Sequence, residues 1–272
     1  MYPYIQIFGH SFGTYGVIAA FAALLCGILF ICSLKRMGGM MEDGILLLIC
    51  VLIGVMLGGH LLYALTQYRY IPYLFERVEL SLWLARAQYI FGGSVFYGGL
   101  LGGIGCGYAG GRILKLNISL CADLMTPIIP LFHGFARIGC FFAGCCYGIP
   151  CSIGFAAVEN TIVPEVNAVT RFPVQLLEAT LNFALAGMLW CFLRLSYRKA
   201  WLQGNLIKLY LLFYGGFRFL LEFLRGDAQR GFWGMLSTSQ WISIALICIG
   251  MILLGKDIII KRKERFLYRE LQ

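Results

Sequence analysis

Charged residues are scarce in this sequence. Only 13% of its 272 residues are Asp, Glu, Lys or Arg, whereas 60% are hydrophobic, and the mean hydropathy is +0.80. Soluble domains carry about 25% charged and about 45–50% apolar residues. The composition therefore excludes a globular cytosolic enzyme, a disordered chain and a small secreted domain held together by disulfide bonds. It indicates a protein whose solvent is the lipid bilayer.

Several long stretches of the chain carry no charged residue at all. The first covers residues 1–34, and others cover 44–68, 87–111 and 231–255. Each is longer than the ~20 residues with which an α-helix crosses a hydrocarbon core. Together with three apolar stretches that hold a few ionisable residues, they predict an all-α integral membrane protein. The seven predicted spanning helices cover 13–34, 45–66, 91–111, 118–138, 173–193, 204–224 and 239–255.

The positions of the basic residues predict the orientation. Thirteen of the 22 Lys and Arg residues follow the first, third and fifth helices or lie in the last 17 residues. The positive-inside rule assigns that side to the cytoplasm, so the amino terminus is expected outside and the carboxy terminus inside. The first helix is expected to stay attached, because no basic residue precedes it and no cleavage site follows it.

The rest of the chain is expected to form a single membrane domain, 1–272. Within it, residues 67–90 have the composition of an interfacial arm, residues 139–172 that of a small extracytoplasmic head, and residues 256–272 form a basic cytoplasmic tail. The net charge of +9 then reflects topology and contact with membrane lipid. No nucleic-acid partner is expected, because no basic motif with interleaved aromatic residues occurs outside the tail.

A few ionisable residues interrupt the apolar helices, and each costs about 2.5–3.5 kcal/mol on insertion scales. Lys208 is expected to extend to the headgroups from the cytoplasmic end of its helix. In the same helix Tyr214, Arg218, Glu222 and Arg225 share one stripe. The other ionisable residues in or near these helices are Asp123, Arg137 and Glu178.

Two interpretations of the stripe stay open. Glu222 neutralises Arg218 and the pair fastens helices together, or two arginines on one acid leave positive charge for a ligand. The second suits a phosphate, and the phosphate most available in a membrane belongs to a phospholipid headgroup. Arg137 then completes a clamp that stabilises a phosphate leaving group.

Glycine is concentrated in one predicted helix, which holds ten glycines in residues 91–111. Close packing of helices through small residues explains such a run. A second interpretation is that the glycines make the helix narrow where it borders a cavity that lipid can enter. The two interpretations are compatible.

Four blocks of sequence resemble the prolipoprotein diacylglyceryl transferases of bacterial inner membranes. The segment ADLMTPIIPLFHGFARIGCFFAGCCYG (122–148) is similar to the family signature centred on G-R-x-G-N-F. TYG (14–16) resembles an aromatic-Tyr-Gly motif, RFPVQLLEA (171–179) resembles H-P-x-Q-L-Y-E-A, and YGGFRFLLEFLRGDAQ (214–229) resembles Y-G-x-x-R-F-x-x-E-F-F-R-x-P-D. The blocks occur in order, and the resemblance runs from about residue 10 to 255.

The resemblance implies transfer of the diacylglyceryl group of phosphatidylglycerol to the lipobox cysteine thiol of a preprolipoprotein signal peptide, with release of glycerol phosphate. This takes place at the outer face of the bacterial cell membrane, and no cofactor is expected. By motif, catalytic roles fall on Arg137, Arg218, Tyr97 and Glu222. Substrate-binding roles fall on Arg137, Arg218, Arg225, Tyr15, Gly98, Gly99, Gly148 and Tyr214.

The sequence departs from the family pattern at three positions. Tyr97 stands where the family has a histidine before Gly-Gly, so it is a candidate to accept or relay the proton of the thiol. Cys140 replaces the signature asparagine, and Cys145 replaces an acidic residue. His133 and His60 are substitutes in principle, and His133 lies one turn before Arg137.

Four of the 11 cysteines, Cys140, Cys145, Cys146 and Cys151, cluster on the outer side, and the other seven lie in predicted helices. Their spacing matches no standard zinc pattern, and no metal site is predicted. A disulfide or inert packing is favoured, with redox or metal chemistry left open.

Three alternatives to the transferase remain. A related enzyme on the same scaffold uses another phospholipid or acceptor, a transporter binds its substrate through the buried charges, or a thiol oxidoreductase works through Cys145 and Cys146.

Overall fold

The computed structural model describes residues 2–157, 160, 163–196, 203–227 and 231–270, the last 13 of them by backbone only. The side chains of the predicted basic tail beyond Asp257 therefore lie outside the described part. The helices are α1 (Thr14–Arg36), α2 (Met41–Thr66), α3 (Leu80–Phe91), α4 (Phe96–Ile113), α5 (Ile118–Met125), α6 (Ile128–Ala143), α7 (Val174–Ser196), α8 (Leu206–Leu221) and α9 (Thr238–Glu270). Short 3-10 helices cover Tyr68–Phe75, Pro164–Val166 and Glu222–Leu224.

The chain is an all-α membrane protein in class, as predicted. Five helical stretches of the described residues are long and apolar enough to cross a membrane: Thr14–Arg36, Met41–Thr66, Ile118–Ala143, Val174–Leu195 and Thr238–Asp257. They coincide with the first, second, fourth, fifth and seventh predicted spans. The third and sixth predicted spans contain α4, of 18 residues, and α8, of 16 residues. The count of seven spans and the orientation stay predictions.

Strands are few and short. An antiparallel hairpin joins β1 (Tyr4–Ile7) to β2 (His10–Gly13) before α1, with Tyr4 opposite Gly13. The predicted head contains β3 (Pro150–Phe155), and β4 (Phe232–Trp233) pairs with β5 (Leu236–Ser237) just before α9. The predicted interfacial arm holds the first 3-10 helix and α3.

The chain divides into two compact units. One unit comprises residues 31–121, and the other comprises residues 1–30 together with 122–272. The single membrane domain and its head, arm and tail remain predictions.

In the unit of residues 31–121, α2 and α4 touch along a stripe of glycines. A Cβ atom built on Gly98 would lie 2.2 Å from the carbonyl oxygen of Gly58, and one on Gly102 would lie 2.1 Å from that of Gly54. No side chain fits at such separations, so the glycines let the two backbones meet. Close packing, one of the two interpretations of this run, is therefore confirmed.

Replacing Gly98 by alanine is expected to destabilise this helix pair by about 1–3 kcal/mol, because the new methyl group forces the backbones apart. Gly105→Ala on the same helix is the matched control, since nothing lies within 4 Å of its Cβ position. Apparent unfolding midpoints in detergent measure both. Equal midpoints for the two variants would contradict the packing role of Gly98.

In the other unit the helices pack in chain order, α6 on α7, α7 on α8 and α8 on α9. Gly134 of α6 lets the ring of Phe183 approach, because a Cβ there would lie 2.5 Å from the ring. Leu185 and Leu189 of α7 form a buried apolar cluster with Tyr210 of α8. The three helices therefore present facing surfaces to one another, and Arg137, Glu178 and Arg218 lie on those surfaces.

Two of the flagged charges have structural partners. Asp123 accepts hydrogen bonds from the backbone N–H groups of Gly204 (2.5 Å) and Leu206 (3.3 Å), which holds the start of α8 in place. Lys208 forms an ion pair with Asp257 of α9. The ammonium group is therefore paired within the protein, and its expected extension to the headgroups stays a prediction.

Candidate active site

A buried network of charges joins α6, α7 and α8. Nε of Arg137 lies 3.0 Å from Oε2 of Glu178, and Nη1 of Arg218 lies 3.9 Å from the same oxygen. Nη2 of Arg218 lies 2.8 Å from Oε2 of Glu222, one helical turn further along α8. The four side chains are 2–13% exposed, so water screens their charges little. Glu178 connects the two arginines that the sequence placed on separate helices.

The expected surplus of positive charge is wrong. Arg225 pairs with Asp227 through two hydrogen bonds of 2.9 and 2.5 Å, and Glu178 faces the other two arginines. In the described part of the chain, three guanidinium groups thus meet three carboxylates. The interpretation of the sequence was wrong because it paired Arg218 and Arg225 with Glu222 alone and did not count the other two carboxylates.

Charge is balanced, but hydrogen-bonding capacity is not exhausted. Nη2 of Arg218 donates to Oγ of Ser239 at 3.1 Å, whereas the buried Nη1, together with Nε of Arg137 and Oε1 of Glu178, makes no hydrogen bond within the residues described. A buried donor without a partner costs about 1–3 kcal/mol. An anionic ligand with several acceptor oxygens, such as a phosphate, would satisfy it.

His133 belongs to this site. Its Nε2 lies 3.9 Å from Oε1 of Glu178, and its ring centroid is 5.4 Å from that of Tyr214. It therefore occupies the same surface as Arg137, one turn away. His60, in the other unit, has its Nδ1 2.8 Å from two backbone carbonyl oxygens, which accounts for it as a packing residue.

The backbone places Arg225 beside the end of α6. Residues 147–149 and 224–226 pair through two backbone hydrogen bonds, from Ile149 to Leu224 (3.0 Å) and from Gly226 to Tyr147 (2.9 Å). Gly148 lies opposite Arg225 in this pairing. A Cβ on Gly148 would lie 2.2 Å from a carbonyl oxygen of the chain segment before α7, so the close approach of three segments requires glycine here.

Three of the four outer cysteines converge at the end of α6. Gly144, with φ of +82°, ends the helix and reverses the chain, and Cys146 is itself left-handed with φ of +55°. The Sγ atoms of Cys140, Cys145 and Cys146 consequently all lie within 4.8 Å of one another. Nη1 of Arg137 is 3.9 Å from Sγ of Cys140, so the sulfur cluster adjoins the charge network.

Hydrogen bonding within the cluster shifts the pKa values of Cys145 and Cys146 in opposite directions. The pKa of Cys146 is lowered because it accepts hydrogen bonds from Cys140 and Cys145 and because Arg137 and Arg225 lie nearby. The pKa of Cys145 is raised by its side-chain hydrogen bonds with Cys140 and Cys146 and by burial. Of the two favoured alternatives, a disulfide or inert packing, the disulfide is not formed, since every cysteine, including Cys151 on β3, is a free thiol.

The remaining predicted site residues fall into two groups. Tyr15 lies against Gly139 beside the cluster, with its Cδ2 3.0 Å from the Cβ position of that glycine. Tyr97, Gly98 and Gly99 begin α4 in the other unit. Their roles toward substrate stay predictions, and Gly98 has the packing role described above.

Sequence reasoning did not assign a site role to Glu178 or Ser239. Glu178 carried a signal, because it was a carboxylate within an apolar helix and part of the block RFPVQLLEA. Ser239 carried none, since a serine at the start of a spanning helix is an ordinary residue.

Comparison with known proteins gives one consistent result. A family model described as prolipoprotein diacylglyceryl transferase matches residues 3–255. A phosphatidylglycerol–prolipoprotein diacylglyceryl transferase of Clostridium tetani is 34% identical over 253 residues, 93% of this chain and 96% of that protein. A protein of Clostridium perfringens named as transferase 2 of the same kind is 34% identical over 269 residues, 95% of this chain and 96% of its own. A phosphatidylglycerol–prolipoprotein diacylglyceryl transferase of Mannheimia succiniciproducens is 34% identical over 205 residues, 72% of this chain and 69% of that protein.

Proposed function

Because the chain belongs to the prolipoprotein diacylglyceryl transferase family, we propose that it transfers the diacylglyceryl group of phosphatidylglycerol to the lipobox cysteine of preprolipoproteins. The product is a thioether-linked peptide, and glycerol phosphate leaves. The single observation that carries this proposal is the buried network of Arg137, Glu178, Arg218 and Glu222 with an unused donor on Arg218.

The arginines act on the leaving group. The thiolate sulfur attacks the glycerol carbon that bears the phosphoester oxygen, a C–S bond forms, and the C–O electron pair passes to the phosphate. Arg137 and Arg218 hold the phosphate oxygens on which negative charge develops. Glu222 and Glu178 keep the two guanidinium groups in place and charged between reaction cycles.

Other residues contact the substrates. Arg225 and Tyr214 flank the two arginines at the ends of the network and bind the phosphatidylglycerol headgroup. Tyr15 and Gly148 border the same region near Arg137. Gly98 and Gly99 bind substrate where α4 begins.

Tyr97 serves as a proton relay for the incoming thiol. A phenolic hydroxyl both accepts and donates a hydrogen bond, so Tyr97 can pass a proton on without itself becoming the base. Tyr97→Phe is expected to slow transfer about tenfold, less than the roughly 10²–10⁴-fold contribution of a group that itself takes the proton. Initial rates with a lipobox peptide measure this effect, and a fully active variant would remove Tyr97 from the chemistry.

The enzyme works at the outer face of the bacterial inner membrane. If the seven predicted helices span the membrane, with the amino terminus outside and the carboxy terminus in the cytoplasm, residues 139–172 lie outside. The distribution of 13 of the 22 basic residues on the opposite side supports this orientation.

Purified protein in detergent, given phosphatidylglycerol and a lipobox peptide, tests the function. We expect a peptide whose mass increases by one diacylglyceryl group, and no product from a peptide with serine in place of the cysteine. Complementation of a strain depleted of its own transferase is the parallel test in cells. Failure of both would remove this activity and favour the related enzyme with another lipid or acceptor.

A further inference from the structure

We propose that Cys140, Cys145 and Cys146 bind a thiophilic divalent cation such as Zn²⁺, whose open coordination position takes the acceptor thiol. The second half of this inference rests on the proposed function, because it gives that reaction its nucleophile. The first half, metal binding, stands on the geometry of the three sulfurs alone.

The three sulfurs are already close to metal-binding separation. Zn–S bonds of about 2.3 Å place three thiolates about 3.8–4.0 Å apart around one ion. In the structure all three Sγ atoms lie within 4.8 Å of one another. Each sulfur therefore needs to move by less than about 1 Å, which rotation about χ1 supplies.

The backbone holds the ligands from two sides. Cys140 projects from the last turn of α6, and the left-handed Gly144 turns the next two cysteines back toward it. Sγ of Cys145 lies 3.8 Å from the carbonyl oxygen of Cys140, which fixes the return of the chain. A left-handed backbone is unfavourable for a residue with a Cβ, so tertiary contacts hold Cys146 in this conformation.

Two guanidinium groups lie near the three sulfurs. Nη1 of Arg137 lies 3.9 Å from Sγ of Cys140, and Arg225 is paired with the segment that follows Cys146. Three thiolates and a divalent cation carry a net charge of −1, so the adjoining guanidinium groups, each of which is also paired with a carboxylate, interact favourably with the loaded site.

Three protein ligands are typical of catalytic zinc sites, which keep a fourth position open. The metal-binding group found in the described part of the chain has three members, all cysteines. A thiol that binds at the fourth position loses its proton, because a coordinating thiol is deprotonated outright. The proton leaves to water, and the metal-bound thiolate then attacks the glycerol carbon as the C–O bond breaks and its electron pair passes to the phosphate.

Two other uses of these cysteines fit the reaction less well. If one of them carried the diacylglyceryl group, the intermediate would be a thioether, from which a thiolate leaves less readily than a phosphate does. A disulfide would require an oxidant, and the transfer reaction provides none.

Metal binding is tested on the full-length protein in detergent. After incubation with Zn²⁺ and removal of excess ion, we expect about one zinc per chain by mass spectrometry of the metal. Co²⁺ in its place is expected to give the absorption of thiolate-to-cobalt charge transfer. Cys145→Ser and Cys146→Ser should each weaken binding at least tenfold, whereas Cys151→Ser, in the same outer region, should bind as the parent does.

The role of the bound metal in diacylglyceryl transfer is measured in a separate experiment. Stripping the metal should slow transfer and shift the acidic limb of the pH–rate profile upward, toward the pKa of about 8.5 of a free thiol. Restoring Zn²⁺ should reverse both changes in the parent and in Cys151→Ser.

Three results would overturn the inference. Substoichiometric zinc after loading, equal loss of binding in Cys151→Ser, or a disulfide among the three cysteines in active protein each removes the metal site. An unchanged pH profile after complete stripping removes the role in thiol activation. Because metal content is measured without substrate, a metal-loaded protein that transfers nothing refutes the proposed function, and active protein without metal refutes only this inference.

Discussion

Arg218→Ala is expected to lower the rate of diacylglyceryl transfer by about 10²–10³-fold. Removing one preorganised donor to the developing charge of a transition state has this size of effect. Arg218 is 8% exposed, faces two carboxylates, and holds the buried Nη1 that lacks a hydrogen bond in the described part of the chain. Its loss therefore removes a buried donor that is available to a phosphate oxygen.

Arg218→Lys tests whether the positive charge at this position is sufficient or whether the planar guanidinium group is also required. Lysine keeps the positive charge next to Glu222 and so preserves the fold, but it lacks the planar fork that binds two phosphate oxygens at once. We expect a rate between those of the parent and Arg218→Ala. Initial rates at saturating phosphatidylglycerol give the comparison.

Arg86→Ala is the matched control. Arg86 also pairs with a carboxylate, Glu76, at 2.9 Å, but it lies in the other unit outside the network. Its replacement should leave transfer unchanged. An Arg218→Ala protein that is folded and works at the rate of Arg86→Ala would contradict the role given to Arg218.

Glu178→Gln is expected to destabilise the protein by about 3–5 kcal/mol, because removing one partner of a buried ion pair leaves uncompensated charge. Glu178 is 2% exposed and lies 3.0 Å from Arg137 and 3.9 Å from Arg218. The amide keeps the shape of the side chain but brings no negative charge to the two arginines. The apparent unfolding midpoint in detergent should fall accordingly.

Glu165→Gln provides the control for Glu178, since Glu165 is an exposed glutamate in the 3-10 helix before α7. It should unfold at the parent's midpoint. Glu178 is a positioning residue, so in protein that remains folded we expect kcat to fall while KM for the lipobox peptide stays the same. A midpoint equal to that of Glu165→Gln would mean that Glu178 does not hold the network together.

Much of this organisation could be read from the sequence. Apolar runs located the helices, because in lipid every backbone polar group has to be satisfied within the segment. The helical repeat placed Arg218 and Glu222 on one face, and their ion pair has the predicted spacing. The glycines of 91–111 indicated close packing, and the contact between Gly98 and Gly58 confirms it.

The contacts between helices could not be predicted from the sequence, because they depend on which helix faces meet. Glu178 is connected to Arg137 and Arg218 only after α6, α7 and α8 pack, and no pattern within one helix contains that information. The ion pair between Lys208 and Asp257 could not be predicted for the same reason, because the two residues lie on different helices.

The cysteines show a second limit of sequence reasoning. Their spacing differs from zinc motifs that rely on paired cysteines in a standard loop. A left-handed Gly144 at the end of α6 brings Cys140 back into contact with Cys145 and Cys146, and a spacing rule does not include this reversal.

Product analysis of a single reaction tests whether the arginines stabilise the phosphate that leaves as the thioether forms. The purified protein is incubated with phosphatidylglycerol and a lipobox peptide, and both products are quantified by mass spectrometry. We expect a thioether-linked diacylglyceryl peptide and glycerol phosphate in a one-to-one ratio, both strongly reduced in Arg218→Ala. Glycerol phosphate formed without modified peptide, or modified peptide formed equally well by Arg218→Ala, would contradict this expectation.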